Sequence, residues 1–243
     1  MISIPVAYAY LFLCLATIVV WLALFWLNQK ERWRQLILSA VFSVAGPVGE
    51  LFYIPDYWHP ATVLSVPIFH SYISIEDFIF SFAIMGIMSA LPTVVGLMPK
   101  NATIQPLSLV SILKMIAVLT IVALLSLGFW YAGLNSIFAT SLAMLIATCF
   151  LLWSTKRILL LRISFVSACL MLLMMFIIYW IAFGIISDSE SILKTTWSLY
   201  GTSLGVQLLD VPLSELVWAF CFGAFFSVLF VFDNVRLPQG FDR

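Results

Sequence analysis

The chain alternates between long apolar runs and short polar connections. A membrane-spanning helix needs about 20 predominantly apolar residues. Seven runs approach that length, near residues 6–27, 36–53, 75–98, 107–131, 136–153, 158–186 and 211–232. The pattern predicts an all-α, polytopic membrane bundle of about seven transmembrane helices.

The composition agrees with a membrane location. Hydrophobic residues make up 64% of the 243 residues and charged residues only 9%, and the mean hydropathy is +1.15. Soluble domains carry about 25% charged residues, so this chain has too few charges to cover a water-facing surface. The 11 basic residues balance the 11 acidic ones, which excludes a basic nucleic-acid-binding protein.

Basic residues cluster in alternate connections between the runs. They follow the first, third, fifth and seventh runs: Lys30, Arg32, Arg34, Lys100, Lys156, Arg157, Arg162, Arg236 and Arg243. Because cytoplasmic loops carry an excess of Lys and Arg, the N-terminus is predicted outside and the C-terminus in the cytoplasm. The expected location is a bacterial or archaeal cytoplasmic membrane.

Acidic residues gather toward the opposite, outer face, and two explanations for them stay open. Ser74, three residues before Asp77, fits a helix capping box, and carboxylates stabilise helix N-termini in general. An ionisable side chain that faces the interior of a bundle, however, is costly unless it is paired or functional. Glu50 follows a Gly-Pro-Val-Gly break that turns it toward the same outer region.

The two long outer connections share a pattern. Each leads from an aromatic-rich segment to an acid at the start of an apolar run, and aligning Ile75 with Leu213 places Asp77 against Glu215. This duplication predicts two related three-helix halves and one extra helix. Residues 1–106 would hold spans one to three and residues 107–243 spans four to seven, within a single membrane domain. Repeats in membrane folds place sites between them.

The duplicated segments resemble the integral-membrane lycopene cyclase domains of bacteria, archaea and fungi. In that family a Pro-x-Glu-Glu/Asp motif opens a span and Phe-rich sequence follows. Residues 75–80 (IEDFIF), preceded by Asp56 and Trp58, are similar to the first copy, and residues 212–218 (PLSELVW) to the second. Ser74 replaces the proline of the first motif and Ser214 the first acid of the second, which indicates a divergent member.

The resemblance implies redox-neutral, proton-initiated closure of a ring at the end of a linear carotenoid, with no cofactor. It implies Glu76 as the proton donor and Glu215 or Asp77 as the partner base. The substrate-binding residues that it implies are Glu50, Asp56, Trp58, Phe78, Phe80, Trp197 and Trp218. Aromatic faces among them would stabilise a cation. Membrane lipid and an apolar polyene are the expected partners, and both homo- and hetero-oligomers stay open.

The same sequence bears on three other functions. A retinal protein needs a lysine in its last span, and residues 211–232 contain none. His59 and His70 lie in one connection with Asp56, but their spacing matches no helix-borne pair of metal ligands, so no metal is expected. A non-catalytic membrane subunit that binds a lipid or a protein partner through its outer loops remains the alternative.

Overall fold

The computed structural model describes residues 5–68, 71–99, 103–185, 189–232 and 235–236, and most of them are helical. The helices are α1 (Ala9–Leu27), α2 (Arg32–Phe42), α3 (Ala45–Tyr53), α4 (Ile75–Val94), α5 (Leu109–Tyr131), α6 (Ser136–Thr155), α7 (Ile158–Ile185), α8 (Ser189–Thr196) and α9 (Leu213–Leu229). A 3-10 turn at Val6–Tyr8 leads into α1. Three residues named in the sequence analysis lie outside the described residues: His70, Lys100 and Arg243.

Within the described residues, five helices are long and apolar enough to cross a membrane. They are α1 with its 3-10 turn, α4, α5, α6 and α7. The bent pair of α2 and α3 makes a sixth candidate. Helix α9 is apolar but has 17 residues, which is about 26 Å of helix against a hydrocarbon core of about 30 Å. The chain is a multi-pass helical membrane protein, and the described residues give five or six candidate spans, so the predicted count of seven is not confirmed.

The predicted second span is broken in the structure. Helix α2 ends at Phe42 and α3 begins at Ala45, with a bend of 41° between them. Pro47 lies in the first turn of α3, where a missing N–H leaves no intrahelical hydrogen bond unmade. A Cβ at Gly46 would lie 1.6 Å from Ser81 Oγ on α4. Only glycine therefore allows α3 to approach the start of α4 this closely.

Helices α4 and α9 form the centre of the bundle. Helices α1, α2 and α3 pack on α4, helices α6 and α7 pack on α9, and α4 also contacts α9. Small residues let these helices approach: a Cβ at Gly86 would lie 2.1 Å from Trp21 Nε1, and one at Gly223 would lie 2.7 Å from Met171 Cβ. The two central helices thus each carry their own set of neighbours.

Short antiparallel strands order the connections. Strand β1 (Ser65–Ile68) pairs with β2 (Ser71–Ser74), β3 (Thr103–Ile104) with β6 (Val235–Arg236), and β4 (Gln207–Leu208) with β5 (Val211–Pro212). Leu209 and Asp210, between β4 and β5, both have positive φ, at 49° and 66°, as a two-residue type I′ hairpin requires. Since β5 ends at the residue before α9, this hairpin fixes where α9 begins.

A buried arginine, Arg34, binds the C-terminal end of α9. Arg34, on α2, is 8% exposed, and its Nη2 donates a hydrogen bond to the carbonyl oxygen of Phe230. The last carbonyls of a helix have no intrahelical donor and carry partial negative charge. Arg34 therefore stabilises the C-terminal end of α9, at the opposite end from Glu215.

Candidate functional site

The connection between α3 and α4 meets the connection between α7 and α9 at one end of the bundle. At this end α1, α4, α6 and α9 begin, and α3 and α7 end. We call this region the acid end. Trp58 and Trp197, one from each connection, form an isolated antiparallel bridge with ring centroids 4.8 Å apart. Two backbone hydrogen bonds of 2.8 and 2.9 Å flank this bridge. The two connections are therefore fixed to each other.

Glu215 lies in the first turn of α9 and is only 6% exposed. Its Oε1 accepts hydrogen bonds from the Tyr57 hydroxyl at 2.6 Å and from Trp197 Nε1 at 2.9 Å. Its Oε2 accepts one from the Tyr179 hydroxyl at 3.0 Å. These donors are neutral and come from three different parts of the chain: the connection after α3, the connection after α8, and α7. The fold thus assembles a carboxyl site from distant residues.

Tyr57 stays protonated and therefore remains a hydrogen-bond donor to Glu215. Its side chain is 1% exposed, and burial, followed by the negative charge of Glu215, raises the pKa of Tyr57 well above its ordinary value. The hydroxyl therefore keeps its proton. It also lies 2.9 Å from Ser214 Oγ. Ser214, which stands where the family motif has an acid, thus contacts the tyrosine that reaches Glu215.

Asp77, the aligned counterpart of Glu215, has a different environment. Its Oδ2 accepts from the Ser74 N–H at 2.7 Å, and its own N–H donates to Ser74 Oγ at 3.3 Å, which completes a capping box. Its Oδ1 accepts from the Tyr10 hydroxyl at 2.9 Å. Both carboxyl oxygens are therefore used to hold the start of α4, within its own cap and to α1.

Glu76 is fully buried, with 0% exposure. Its Oε1 accepts from the backbone N–H of Val63 at 2.6 Å, which ties α4 to the connection that leads into β1. Its Oε2 is buried without a hydrogen-bond partner. Glu76 is adjacent to Asp77 but does not line the cavity described next.

A cavity of about 50 Å³ lies at the acid end. Seven of its lining residues are aromatic: Tyr10, Tyr53, Tyr57, Trp58, Phe80, Tyr179 and Trp218. The acids in its wall are Glu50 and Glu215, and among the described residues no lysine or arginine lines it. Its volume has room for about three water molecules.

Glu50 reaches the cavity from α3. Its Oε2 is buried and has no hydrogen-bond partner. The carboxyl is close enough to those of Asp77 and Glu215 to interact with both electrostatically. The break before Glu50 thus places an incompletely satisfied acid in the same cavity as Glu215.

Asp56 lies away from the cavity, at the start of α6. Its carboxyl accepts from the Ser136 N–H at 3.0 Å, from the Ser136 hydroxyl, and from Trp130 Nε1 at 3.0 Å. Asn135 Nδ2 donates to its backbone oxygen at 2.9 Å. An anion is favourable at a helix N-terminus, so Asp56 fastens the connection after α3 to the turn between α5 and α6.

The predicted aromatic residues divide into two groups. Three of them line the cavity: Trp58, Phe80 and Trp218. Phe78 is 38% exposed and is not part of its wall. Trp197 acts on the site through its hydrogen bond to Glu215. The first motif therefore faces the cavity with Phe80 rather than with its acids.

The sequence analysis missed the tyrosines around the acids: Tyr10, Tyr53, Tyr57 and Tyr179. Tyrosines near span ends are commonly interfacial anchors, so their position in the sequence does not indicate a role at a site. Tyr179 could have been recognised more easily, because it lies well inside an apolar run. A buried tyrosine hydroxyl usually has a hydrogen-bond partner, and here that partner is Glu215.

His59 and Asp56, two residue types that can bind metals, lie in the connection after α3. Within the part of the chain that the structure describes, no group of three or more His, Cys, Asp or Glu side chains is arranged to hold a metal ion. His59 lies with its Nδ1 3.3 Å from Ser198 Oγ, and Asp56 is engaged at α6.

Comparisons with protein-family models, with curated proteins and with solved structures find no match to this chain. The likeness to lycopene cyclase domains therefore rests on the two motif segments and on the upstream Asp56 and Trp58. A functional assignment has to rest on those residues and on the geometry of the acid end.

Proposed function

We propose that this protein is a divergent lycopene cyclase-like membrane enzyme, which closes a ring at the end of a linear carotenoid. The observation that carries the proposal is the cavity at the acid end. Two carboxyl groups, Glu50 and Glu215, share it with seven aromatic side chains, and the described residues put no cationic side chain in its wall. Proton-initiated cation chemistry on an apolar substrate uses that combination, because it needs an acid, a base and aromatic faces.

The reaction needs an acid, a site that tolerates a carbocation, and a base. A carboxylic acid protonates a terminal double bond, the neighbouring double bond closes the ring, and a base removes a proton from the ring. No electrons are gained or lost, and no cofactor enters. Aromatic faces attract cations, and Trp58 and Phe80 supply such surfaces in the cavity wall.

The predicted acids differ in how well their positions support these roles. The resemblance assigns proton donation to Glu76, with Glu215 or Asp77 as the base. Glu215 lines the cavity, which supports a role next to the substrate. Glu76 and Asp77 do not line the cavity. Glu76 is hydrogen-bonded to Val63, and Asp77 is hydrogen-bonded to Ser74 and Tyr10.

We also propose the finer topology given by the sequence: seven spans, an external N-terminus, a cytoplasmic C-terminus, and two related halves. Helix α9 would be the seventh span, lengthened by β5 before it and by residues 230–232 after it. Its central position, packed on α4, α6 and α7, supports a membrane-embedded place despite its 17 residues.

The test is expression in cells that accumulate lycopene, followed by chromatography of their pigments. We expect a product with a cyclic end group from the wild-type chain, and linear lycopene alone from the Glu215→Gln variant at equal membrane abundance. Only linear lycopene from abundant, folded wild-type protein would reject the cyclase proposal for this substrate.

A second candidate is a non-catalytic membrane subunit that binds a lipid or a protein partner. The volume of the cavity favours it, because about 50 Å³ is far below the roughly 300–1,000 Å³ of typical ligand sites. A cyclase would have to open this region to admit a substrate end group. Pigment analysis separates the two candidates, since a subunit alone leaves lycopene unchanged.

A further inference from the structure

Glu50 and Glu215 line the same cavity but have unlike neighbours. Glu215 receives hydrogen bonds from Tyr57, Trp197 and Tyr179 on its two oxygens. Glu50 has a buried oxygen, Oε2, with no donor near enough to bond. The same cavity therefore contains one carboxyl group with three hydrogen-bond donors and one carboxyl group with an unsatisfied oxygen.

Two interacting carboxyl groups in an apolar site do not both ionise easily, because like charges repel and burial penalises each charge. They titrate as a pair, with one proton shared between them at intermediate pH. Hydrogen-bond donors stabilise the ionised member. When the pair shares one proton, Glu215 is therefore the ionised carboxylate and Glu50 is the protonated acid.

The remaining groups around the pair do not change this order. The titratable groups that line the cavity with Glu50 are Tyr10 on α1, Tyr53 on α3 itself, Tyr57 after α3, Tyr179 on α7 and Glu215 on α9. Cys14 on α1 and Tyr72 on β2 also interact with Glu50. The carboxyl of Asp77 adds a further negative charge nearby. Each of these groups is either neutral or negative, so none of them favours a charge on Glu50.

We propose that Glu50 is the acid that donates the initiating proton, and that Glu215 is the carboxylate that faces the cation and accepts the released proton. This inference rests on the proposed cyclase function. The O–H bond of Glu50 breaks as a C–H bond forms at the terminal alkene. A ring C–C bond closes, a ring C–H bond then breaks, and Glu215 takes that proton. Return of the proton from Glu215 to Glu50 restores the site, with no net gain or loss of atoms.

This assignment replaces Glu76 as the donor on geometric grounds. Glu76 is outside the cavity wall, and its Oε1 already accepts from Val63. Its position is suited to holding the loop before β1. A donor has to come within hydrogen-bond reach of the atom that it protonates, and Glu50 lines the cavity whereas Glu76 does not.

The test compares Glu50→Gln with Glu76→Gln in lycopene-accumulating cells, with Glu190→Gln on the exposed α8 as a matched control. We expect Glu50→Gln to lower cyclic product by about 100-fold or more, and the other two variants to stay within tenfold of wild type at equal membrane abundance. Activity of Glu50→Gln within tenfold of wild type overturns the inference and leaves the cyclase function standing.

A second readout does not depend on cyclisation. Infrared spectra of the purified wild-type protein in lipid at neutral pH should contain a protonated-carboxyl C=O band that shifts in D2O. We expect Glu50→Gln to remove that band and Glu215→Gln to keep it. If Glu50→Gln keeps every protonated-carboxyl band, the proton is not on Glu50, whether or not the wild type cyclises lycopene. Thermal unfolding in detergent checks that each variant is folded.

Discussion

Asp77 and Glu215 occupy aligned positions in the two similar motif segments of the sequence, and the structure gives them different partners. Each lies in the first turn of a central helix, α4 or α9, and each is buried. Asp77 belongs to a capping box with Ser74 and adds one bond from Tyr10. The N-cap residue of α9, Pro212, makes no side-chain capping hydrogen bond, so Glu215 is not part of any such box.

The difference shows which of the two acids local structure can explain. Capping accounts for Asp77, because its partners lie within three residues or on the adjacent α1. It does not account for Glu215, whose donors come from distant parts of the chain. A buried charge costs several kcal/mol unless it is compensated, and the fold compensates Glu215 with three donors beside a cavity. Local capping thus explains the position of Asp77, whereas Glu215 lies at the candidate site and local capping does not explain it.

The largest expected effect is that of Glu215→Gln. The amide keeps the shape of the side chain but removes the negative charge and the base, and it directs an NH₂ group at neighbouring donors. We expect cyclic product to fall by about 100-fold or more, measured by pigment chromatography and normalised to the protein in the membrane fraction.

The control for that variant is Asp77→Asn, its counterpart in the first half. Since Asp77 does not line the cavity, we expect its activity to stay within tenfold of wild type. Equal losses in the two variants would show that the halves are functionally equivalent, contrary to the comparison.

The next effect in size concerns Tyr57. Tyr57→Phe keeps the ring but removes the shortest hydrogen bond to Glu215. A hydrogen bond to a charged group contributes about 1.5–3 kcal/mol, so we expect activity to fall by roughly tenfold or more. Because burial keeps the pKa of Tyr57 well above its ordinary value, its donated bond persists as pH rises. The ratio of wild-type to variant activity should stay constant up to about pH 9.

Tyr72→Phe is the matched control for Tyr57→Phe. Tyr72, on β2, donates to the Pro60 carbonyl oxygen at 2.8 Å and does not line the cavity. Burial, followed by the charges of Glu50, Asp77 and Glu76, raises the pKa of Tyr72 to about 12. Its loss should leave activity nearly unchanged. A larger loss from Tyr72→Phe than from Tyr57→Phe would contradict the assigned site.

The sequence could predict the parts of this comparison that depend on local pattern. The capping box at Ser74 and Asp77 is visible as a spacing of three residues, and α4 begins at Ile75 as the pattern indicates. The apolar runs likewise predict the helical membrane bundle, because burial in lipid requires continuous apolar stretches.

The sequence could not predict what depends on long-range packing. Tyr179 and Tyr57 lie 36 and 158 residues from Glu215, and no local period relates them. The β4–β5 hairpin overlaps the start of the last apolar run, and Leu209 in its turn adopts a positive φ that its side chain disfavours. Nothing in the local pattern therefore indicates a turn at this point. The expected seventh span therefore begins with a strand, and its helix is shorter than the run.

A smaller effect, on stability, separates the caps of the two halves. Ser74→Ala removes the side-chain acceptor of the capping box and should lower the free energy of unfolding by about 1 kcal/mol. Ser214→Ala removes a hydroxyl that caps nothing at the start of α9, so we expect a smaller loss. Thermal unfolding in a single detergent measures both variants, and a larger loss from Ser214→Ala would reverse the comparison.

The smallest effect concerns two aromatic residues of the first motif. Phe80 lines the cavity, whereas Phe78 is 38% exposed and lies outside its wall. Phe80→Leu removes one of several aromatic faces beside the expected cation, and such a contact contributes about 0.5–1 kcal/mol at the lower end of its range. We therefore expect a loss of activity of about twofold to fivefold. Phe78→Leu exchanges one exposed apolar side chain for another and should stay within about twofold of wild type. If Phe78→Leu had the larger effect in the pigment assay, the substrate would contact a different face of α4 from the one that lines the cavity. A catalytic role for Glu76 or Asp77 would then be supported again.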